Sequence, residues 1–241
     1  MTTARSLARV SGIWRFPVKS MAGEALEAAA VDGRGLVGDR AWAVYDAEGK
    51  LASGKHTGRF RRMDPVFALA ARTVGETVEV VLPDSRTVVA GESAADLALS
   101  DHFGEEVELG PEADVPHQDA GEVSIVGTAT LRELGALLGL DDAVDPRHLR
   151  ANLVVETVEP FVEESWVGQE VSVGGVVLSV SERIERCRMV DVEQADLPGL
   201  DGLLKAVGAE RDLCAGVYAD VVQPGEVAVG DVLEAREHGA R

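Results

Sequence analysis

The stretch Val171–Val180, VSVGGVVLSV, decides the fold class. Valines at alternating positions suit a pleated, half-buried strand. Gly174-Gly175 supplies a two-residue turn in which positive φ costs nothing. The spacing predicts a β-hairpin, Val171–Val173 against Val176–Val180. Reading outward, Ser181–Cys187 continues extended, and Val217–Val222 and Val227–Leu233 close the chain around a Pro224-Gly225 turn. Val123–Val126 and Leu153–Val155 are further short β-branched runs. Upstream, Leu7–Lys19, Arg40–Tyr45 (RAWAVY), Phe67–Ala71, Glu76–Leu82 and Thr87–Ala90 give the same signal.

Helices are few. Ser93–Phe103 has Ser93 as a candidate N-cap and Gly104 as its stop. Thr128–Leu138 places Leu131, Leu134, Leu137 and Leu138 at helical spacing before Gly139, and Leu200–Val207 is a third, short helix. The Pro111–Asp119 stretch is polar, carries two prolines and reads as a linker, which divides the chain at 1–112 and 113–241. Many short strands punctuated by Gly and Pro predict a mainly β fold with short helices, an α+β arrangement of barrels rather than a parallel sheet.

Charge narrows the function. The chain has 241 residues with 42 acidic and 23 basic side chains, a net charge of −19. Residues 1–62 hold 11 basic and 6 acidic groups, whereas residues 63–241 hold 12 and 36. So acidic a body is a poor partner for nucleic acid, where affinity rests on phosphate neutralisation. No apolar run reaches the ~18–20 residues of a membrane span, and MTTARSLARVSGIW has no continuous apolar stretch to serve as a signal peptide. A cytoplasmic protein is expected. The one GxGxxG, GRGLVG at 33–38, opens no helix and leads instead into the Arg40–Tyr45 strand, and there is no GxxxxGK[ST], no GxSxG and no HExxH. The five histidines are scattered, with no zinc-finger spacing to either cysteine.

Some residues nonetheless carry chemistry. Cys187 lies between Arg186 and Arg188, two cations that would favour a thiolate if both approached the sulfur. Strand neighbours point to opposite faces, so both cannot, and residue type alone favours a buried cysteine packed as a small hydrophobe. Cys214 reads as a core residue. Lys19 and Ser20, in PVKS, offer an ammonium, a hydroxyl and turn amides to a phosphate, or Lys19 forms a Schiff base, or it is simply a solvated lysine. Lys55, His56, Arg59, Arg61 and Arg62 form the densest basic stretch, against the sign of the whole chain. Arg147, His148, Arg150 and Asn152 cluster before the Leu153 strand, where salt bridges to Asp141, Asp142 or Asp145 would account for the arginines.

Taken in order, IWRFPVKS (13–20), GLVGDRAWAVYD (35–46), VDPRHLRANLVV (144–155), FVEESWVG (161–168), ERCRMVD (185–191) and PGEVAVGDVLE (224–234) resemble the MOSC-domain family with an N-terminal MOSC β-barrel, the group that includes the mitochondrial amidoxime-reducing component. The resemblance runs from about Val10 to Glu234. It implies a MOSC-type β-barrel plus a smaller β-rich N-terminal domain, and a molybdenum cofactor whose metal is ligated by Cys187. It further implies that Lys19, Ser20, Arg40, Arg150, Asn152 and Arg186 bind the cofactor, whose phosphate and anionic dithiolene need positive charge and N–H donors.

The implied activity is reduction of N-hydroxylated substrates at the metal. A carrier, storage or sulfur-transfer module for the same cofactor is the alternative, with Cys187 as a transient persulfide. Pyridoxal phosphate on Lys19 is the weakest reading, since no partner for the pyridine nitrogen is identifiable. Three departures from the family pattern stand out. Ala151 occupies the usual proline of an RPN motif, and Ile184-Glu185 stands where relatives often carry a second cysteine and a serine. Two cysteines cannot hold a four-cysteine iron–sulfur cluster, so electrons would come from a separate ferredoxin-like or cytochrome-like protein.

Overall fold

The computed structural model of the protein describes residues 5–236. The first half contains strands β1 (Arg5–Arg15), β2 (Glu24–Leu26), β3 (Ala28–Asp32), β4 (Gly35–Leu36), β5 (Trp42–Asp46), β6 (Leu51–Ser53), β7 (Phe60–Arg62), β8 (Ala70–Val74), β9 (Thr77–Val81) and β10 (Thr87–Val89), then helix α1 (Ser93–Phe103) and β11 (Val107–Pro111). The second half contains β12 (Val123–Gly127), α2 (Thr128–Leu137), α3 (Pro146–Leu149), β13 (Leu153–Glu156), β14 (Glu170–Val173), β15 (Val176–Glu185), α4 (Leu203–Arg211), β16 (Cys214–Gln223), β17 (Gly225–Ala228) and β18 (Val232–Ala235). The fold is mainly β, as the patterning predicts.

The opening hairpin forms as β14–β15, with Val173 opposite Val176. It sits in a sheet ordered β13-β12-β16-β15-β14-β18-β1-β2, and β1 pairs back onto β13 to close a seven-stranded barrel. All barrel pairings are antiparallel except β12 with β13. Valine, leucine and isoleucine at alternate positions fill the interior, with Val10, Ile13, Ile125, Leu153, Val171, Leu178, Val217 and Leu233 all at 1% exposure or less. The barrel takes strands from both ends of the chain. Residue 112 lies after β11 and before β12, yet β1, far upstream, is an integral barrel strand. A second core lies under a four-stranded sheet (β11-β5-β6-β7), a three-stranded sheet (β10-β9-β8) and α1.

Three expected elements shift, each for a local reason. Phe67–Ala71 begins as a 3-10 turn over Asp64–Ala68, because Pro65 fixes φ at the start of a turn. The helix expected at Leu200–Val207 runs from Leu203 to Arg211, since Gly202 takes φ +93 and forms the boundary. Val227–Leu233 breaks into two strands in different sheets where Gly230, at φ +96, turns the chain.

Helix α2 lacks a side-chain cap of its own. A distant segment supplies the acceptors instead: Gly127 N donates to Glu163 Oε1 (3.1 Å) and Ala129 N to Thr157 Oγ1 (3.0 Å). Glu163 is fully buried, and its Oε1 accepts at the N-terminal end of the helix, where the backbone N–H groups need acceptors. Among the described residues no helix is long and apolar enough to cross a membrane.

Candidate functional site

The DPRHLR segment shows how sequence places a candidate side chain. Asp145 caps α3, its carboxylate accepting from Arg147 N at 2.9 Å, and Pro146 occupies the first helical position. The helix lasts one turn and stops at Arg150, which adopts the left-handed conformation at φ 52. That turn swings the Arg150 side chain inward, while Arg147 stays at the surface, paired with Asp145 (2.8 Å) and Asp196 (3.0 Å). The salt bridge that accounts for a cluster arginine therefore belongs to Arg147 and not to Arg150.

Arg40 is placed by an analogous device from the other half of the chain. Phe16 N donates to Asp39 Oδ1 (2.8 Å), and Arg40 N donates to the Phe16 carbonyl (2.8 Å). Arg40 then takes φ 50. Phe16, fully buried, contacts both guanidinium groups, its ring centroid 4.9 Å from Arg40 and 4.2 Å from Arg150. Each such cation–π contact is worth roughly 0.5–2 kcal/mol when desolvated. Ser20 completes the set at φ 68, its hydroxyl donating to the Ala52 carbonyl. Eight non-glycine residues have positive φ among the described residues, and Ser20, Arg40 and Arg150 are three of them. Such conformations cost about 1–3 kcal/mol each and persist where the surroundings over-determine them, commonly at functional sites.

These residues meet in one cavity between the two halves. Lys19, Ser20, Arg40, Arg150, Arg186 and Cys187 all line it. Asn152 does not. It lies buried beside the cavity, where its Oδ1 accepts from Ser124 N (3.1 Å) and Oγ (2.8 Å) and its Nδ2 donates to the Trp14 carbonyl. Asn152 thus joins β1 and β12 under the cavity wall. Cys187 follows the end of β15 and is partly exposed, with its thiol unpaired. Only one neighbouring arginine shares its cavity. Arg186 donates to the Ala215 (2.7 Å) and Leu149 (2.8 Å) carbonyls, whereas Arg188 turns away to Asp64 (2.7 Å). Cys214 is a buried, unpaired cysteine at the start of β16.

The electrostatics favour an anion. Burial pushes the Lys19 ammonium down to about 8, against the opposing pull of Asp119. Burial, and then the Arg40 charge, pushes Arg150 down to about 9, and burial pushes Arg186 down to about 10. Both guanidinium groups stay cationic at neutral pH. Burial also disfavours charge on Arg40, but the Asp39 carboxylate bonded to it outweighs this and holds its pKa above the ordinary value. Arg150 Nη2 and Arg186 Nη2 are buried and have no protein partner. Leaving a buried donor unpaired costs on the order of 1–3 kcal/mol, more for a charged group. Against Arg186 sits Gly216, at φ +77, where a Cβ would approach Ile125 O to 2.8 Å and Arg186 Nη2 to 3.1 Å.

The sequence gives no hint of Asp119, His117, Ser124 or Tyr218 as site residues. Asp119 reaches back from the linker to Lys19 (3.2 Å) and Lys55 (3.1 Å). Burial disfavours its charge, but the two lysines outweigh this and hold its carboxyl well below the usual range. Ser124 and Tyr218 come from adjacent barrel strands and line the same cavity.

The N-terminal and C-terminal parts each match a known family: the MOSC N-terminal β-barrel domain over residues 7–106 and the MOSC domain over residues 102–234. The chain belongs to the MOSC-domain family. Among known proteins, this MOSC chain is similar to molybdenum cofactor sulfurase of Danio rerio, 25% identical over 237 residues that cover 77% of the chain and 28% of that protein. The chain therefore spans just over a quarter of that relative's length. Among solved structures it resembles the YuaD protein of Bacillus subtilis, with a TM-score of 0.56 and 16% identity over 98% of this chain and all of that one, which shows a shared fold. YiiM of Geobacillus stearothermophilus is similar over 69% of this chain and 70% of its own, at a TM-score of 0.40 and 16% identity.

Proposed function

We propose that this MOSC protein binds a molybdenum cofactor in the cavity between its two halves, with Cys187 as the protein's ligand to the metal, and that it reduces N-hydroxylated substrates. The observation that carries the reading is the pair of buried, unpartnered guanidinium nitrogens, on Arg150 and Arg186, in the same cavity as a free, partly exposed cysteine. A donor set of this kind suits an anionic dithiolene and a soft metal: cationic N–H groups for the sulfur and phosphate charge, and thiolate sulfur for the metal. The family, and the sulfurase named among its similar proteins, point to the same cofactor.

When bound, the cofactor would supply two-electron redox chemistry at its metal. The chain supplies the rest. Cys187 would fix the metal's position at the end of β15. Arg150 and Arg186 would offer their free Nη2 groups to the cofactor's charge, and Lys19, Ser20 and Arg40 would bind its pterin and phosphate. The buried Phe16 ring, in contact with both guanidinium groups, would help to hold Arg40 and Arg150 in place. Asn152 sets the spacing of the strands that carry these groups. Overall, two electrons and two protons convert R–NH–OH to R–NH2 and water, with the N–O bond broken. The electrons would come from a separate donor protein.

Storage, carriage or sulfur transfer is the second reading, favoured by the sulfurase relative. One experiment separates the two. The protein is purified from a host that makes the cofactor and given benzamidoxime with a chemical reductant. Turnover to benzamidine, lost in Cys187→Ser, supports the reductase. Metal-loaded protein with no turnover leaves a carrier, and protein that never takes up molybdenum refutes both.

A further inference from the structure

The linker between the halves holds one histidine, His117, and it is fully buried. Every polar atom of this residue is engaged. Its backbone N–H donates to Glu112 Oε2 (2.7 Å), and its carbonyl accepts from Lys19 Nζ (2.7 Å). Its Nδ1 lies 2.9 Å from the Arg40 carbonyl and its Nε2 lies 2.6 Å from the Tyr45 hydroxyl. A carbonyl can only accept, so Nδ1 carries the proton and Nε2 accepts from Tyr45. The tautomer is thereby fixed. The ring also packs against Tyr45, with centroids 5.7 Å apart.

Two of these partners are backbone or side-chain atoms of cavity residues. Arg40 holds φ 50, a conformation that its neighbours must enforce, and the His117 imidazole grips its carbonyl. Lys19 reaches the His117 carbonyl and, two residues on, Asp119. Gln118 extends the attachment, its carbonyl accepting from Arg59 (3.1 Å) and its side chain donating to the Arg34 carbonyl (2.6 Å). The linker therefore lies across the first half as a strap, and His117 is its pin.

We propose that His117 is a positioning residue that pins this strap, and through it holds Lys19 and Arg40 in the geometry the cavity needs. The consequence for the cofactor rests on the proposed function, but the pinning itself does not. Removing the imidazole while keeping a ring, as in His117→Phe, deletes both side-chain hydrogen bonds and frees the strap. Lys19 then loses its buried acceptors and meets water. Tyr45→Phe removes only the hydroxyl that Nε2 accepts from, and is the milder change.

The test uses the full chain. The four lysines, Lys19, Lys50, Lys55 and Lys205, are labelled by growth on carbon-13 lysine and titrated by NMR at their Cε positions, with Lys19→Arg assigning the resonance. Lys19 is expected to titrate near 8 in the wild type and to move toward 10.5 in His117→Phe, with a smaller move in Tyr45→Phe. Leu134→Ala, which weakens the core far from the strap, is expected to leave Lys19 unmoved. An unshifted Lys19 in folded His117→Phe overturns the proposal. If that variant does not fold, an unshifted Lys19 in Tyr45→Phe does the same.

A second readout is molybdenum retained per chain after extended dialysis. His117→Phe or Tyr45→Phe is expected to retain about tenfold less, as residues supporting metal-site ligands typically cost 10–100-fold in affinity, and equal retention overturns the link to the cofactor. Wild-type protein without molybdenum refutes the proposed function, and the Lys19 titration still decides the pinning.

Discussion

Acidification should unfold this protein in a way that His117 controls. Burial pushes its imidazole down to about 4; the Arg40 carbonyl and Glu112 resist that shift, while Lys19 and Arg34 add to it. In the unfolded chain the same group titrates near 6.5. A depressed pKa means that the folded state prefers the neutral ring. Its contribution is thus complete above about pH 6.5 and is lost as pH falls toward 4. At 1.36 kcal/mol per pH unit, the fall from about 6.5 to about 4 is worth about 3 kcal/mol, of which about 2 kcal/mol is lost between pH 7 and pH 5.

Protonation would place a positive charge near Lys19 and Arg34, and it would turn Nε2 from an acceptor of the Tyr45 hydroxyl into a donor, leaving that hydroxyl only the longer bond to the Pro111 carbonyl (3.4 Å). The assay is urea unfolding at pH 7 and pH 5 for the wild type and His117→Phe. The wild type should lose about 2 kcal/mol more than the variant over that interval. His148, whose pKa burial also lowers, contributes equally to both proteins and cancels. Equal losses in the two proteins would refute the reasoning.

Further outcomes follow from the same geometry. Gly216→Ala should lower stability by about 2 kcal/mol or more, because a Cβ at φ +77 meets the Ile125 carbonyl, and it should crowd Arg186; a thermal melt unchanged from wild type would contradict this. Leu134→Ala, at a fully buried position of α2, should cost about 3 kcal/mol by chemical denaturation, with molybdenum retention per folded chain unchanged. Arg150→Lys should keep the charge but lose the planar group whose Nη1 bonds Met21 O (2.7 Å) and Gln194 Oε1 (3.2 Å) while Nη2 stays free for the cofactor; molybdenum retention should fall about tenfold, and equal retention would show that Arg150 serves only as a charge.

Much of the fold is legible in the sequence because its signals are local. VSVGGVVLSV carries both strand period and turn within ten residues, and α2 announces itself by leucine spacing and Gly139. Barrel closure is not legible, because β1 meets β13 across more than 140 residues and no local pattern encodes that pairing. At the site, Cys187 and the arginines stand out by residue type, but their conformations do not. Arg40 turns inward because Asp39 binds Phe16, 23 residues away.

His117 is harder still. It is a lone histidine in a polar stretch, and its two side-chain partners lie 77 and 72 residues upstream. The charge split shows the same limit. A basic N-terminal segment hints at an anion site, yet Arg150 and Arg186 come from the acidic remainder, and only the barrel brings them to Lys19 and Arg40.

Ligation of molybdenum by Cys187 inside the cationic cavity is open to direct measurement. Metal analysis joined to X-ray absorption at the molybdenum edge, on protein from a cofactor-producing host, tests it most directly. Stoichiometric metal is expected in the wild type and, in Cys187→Ser, either loss of the metal or one sulfur ligand fewer. Absence of molybdenum from the wild type, or an unchanged sulfur shell in Cys187→Ser, would contradict it.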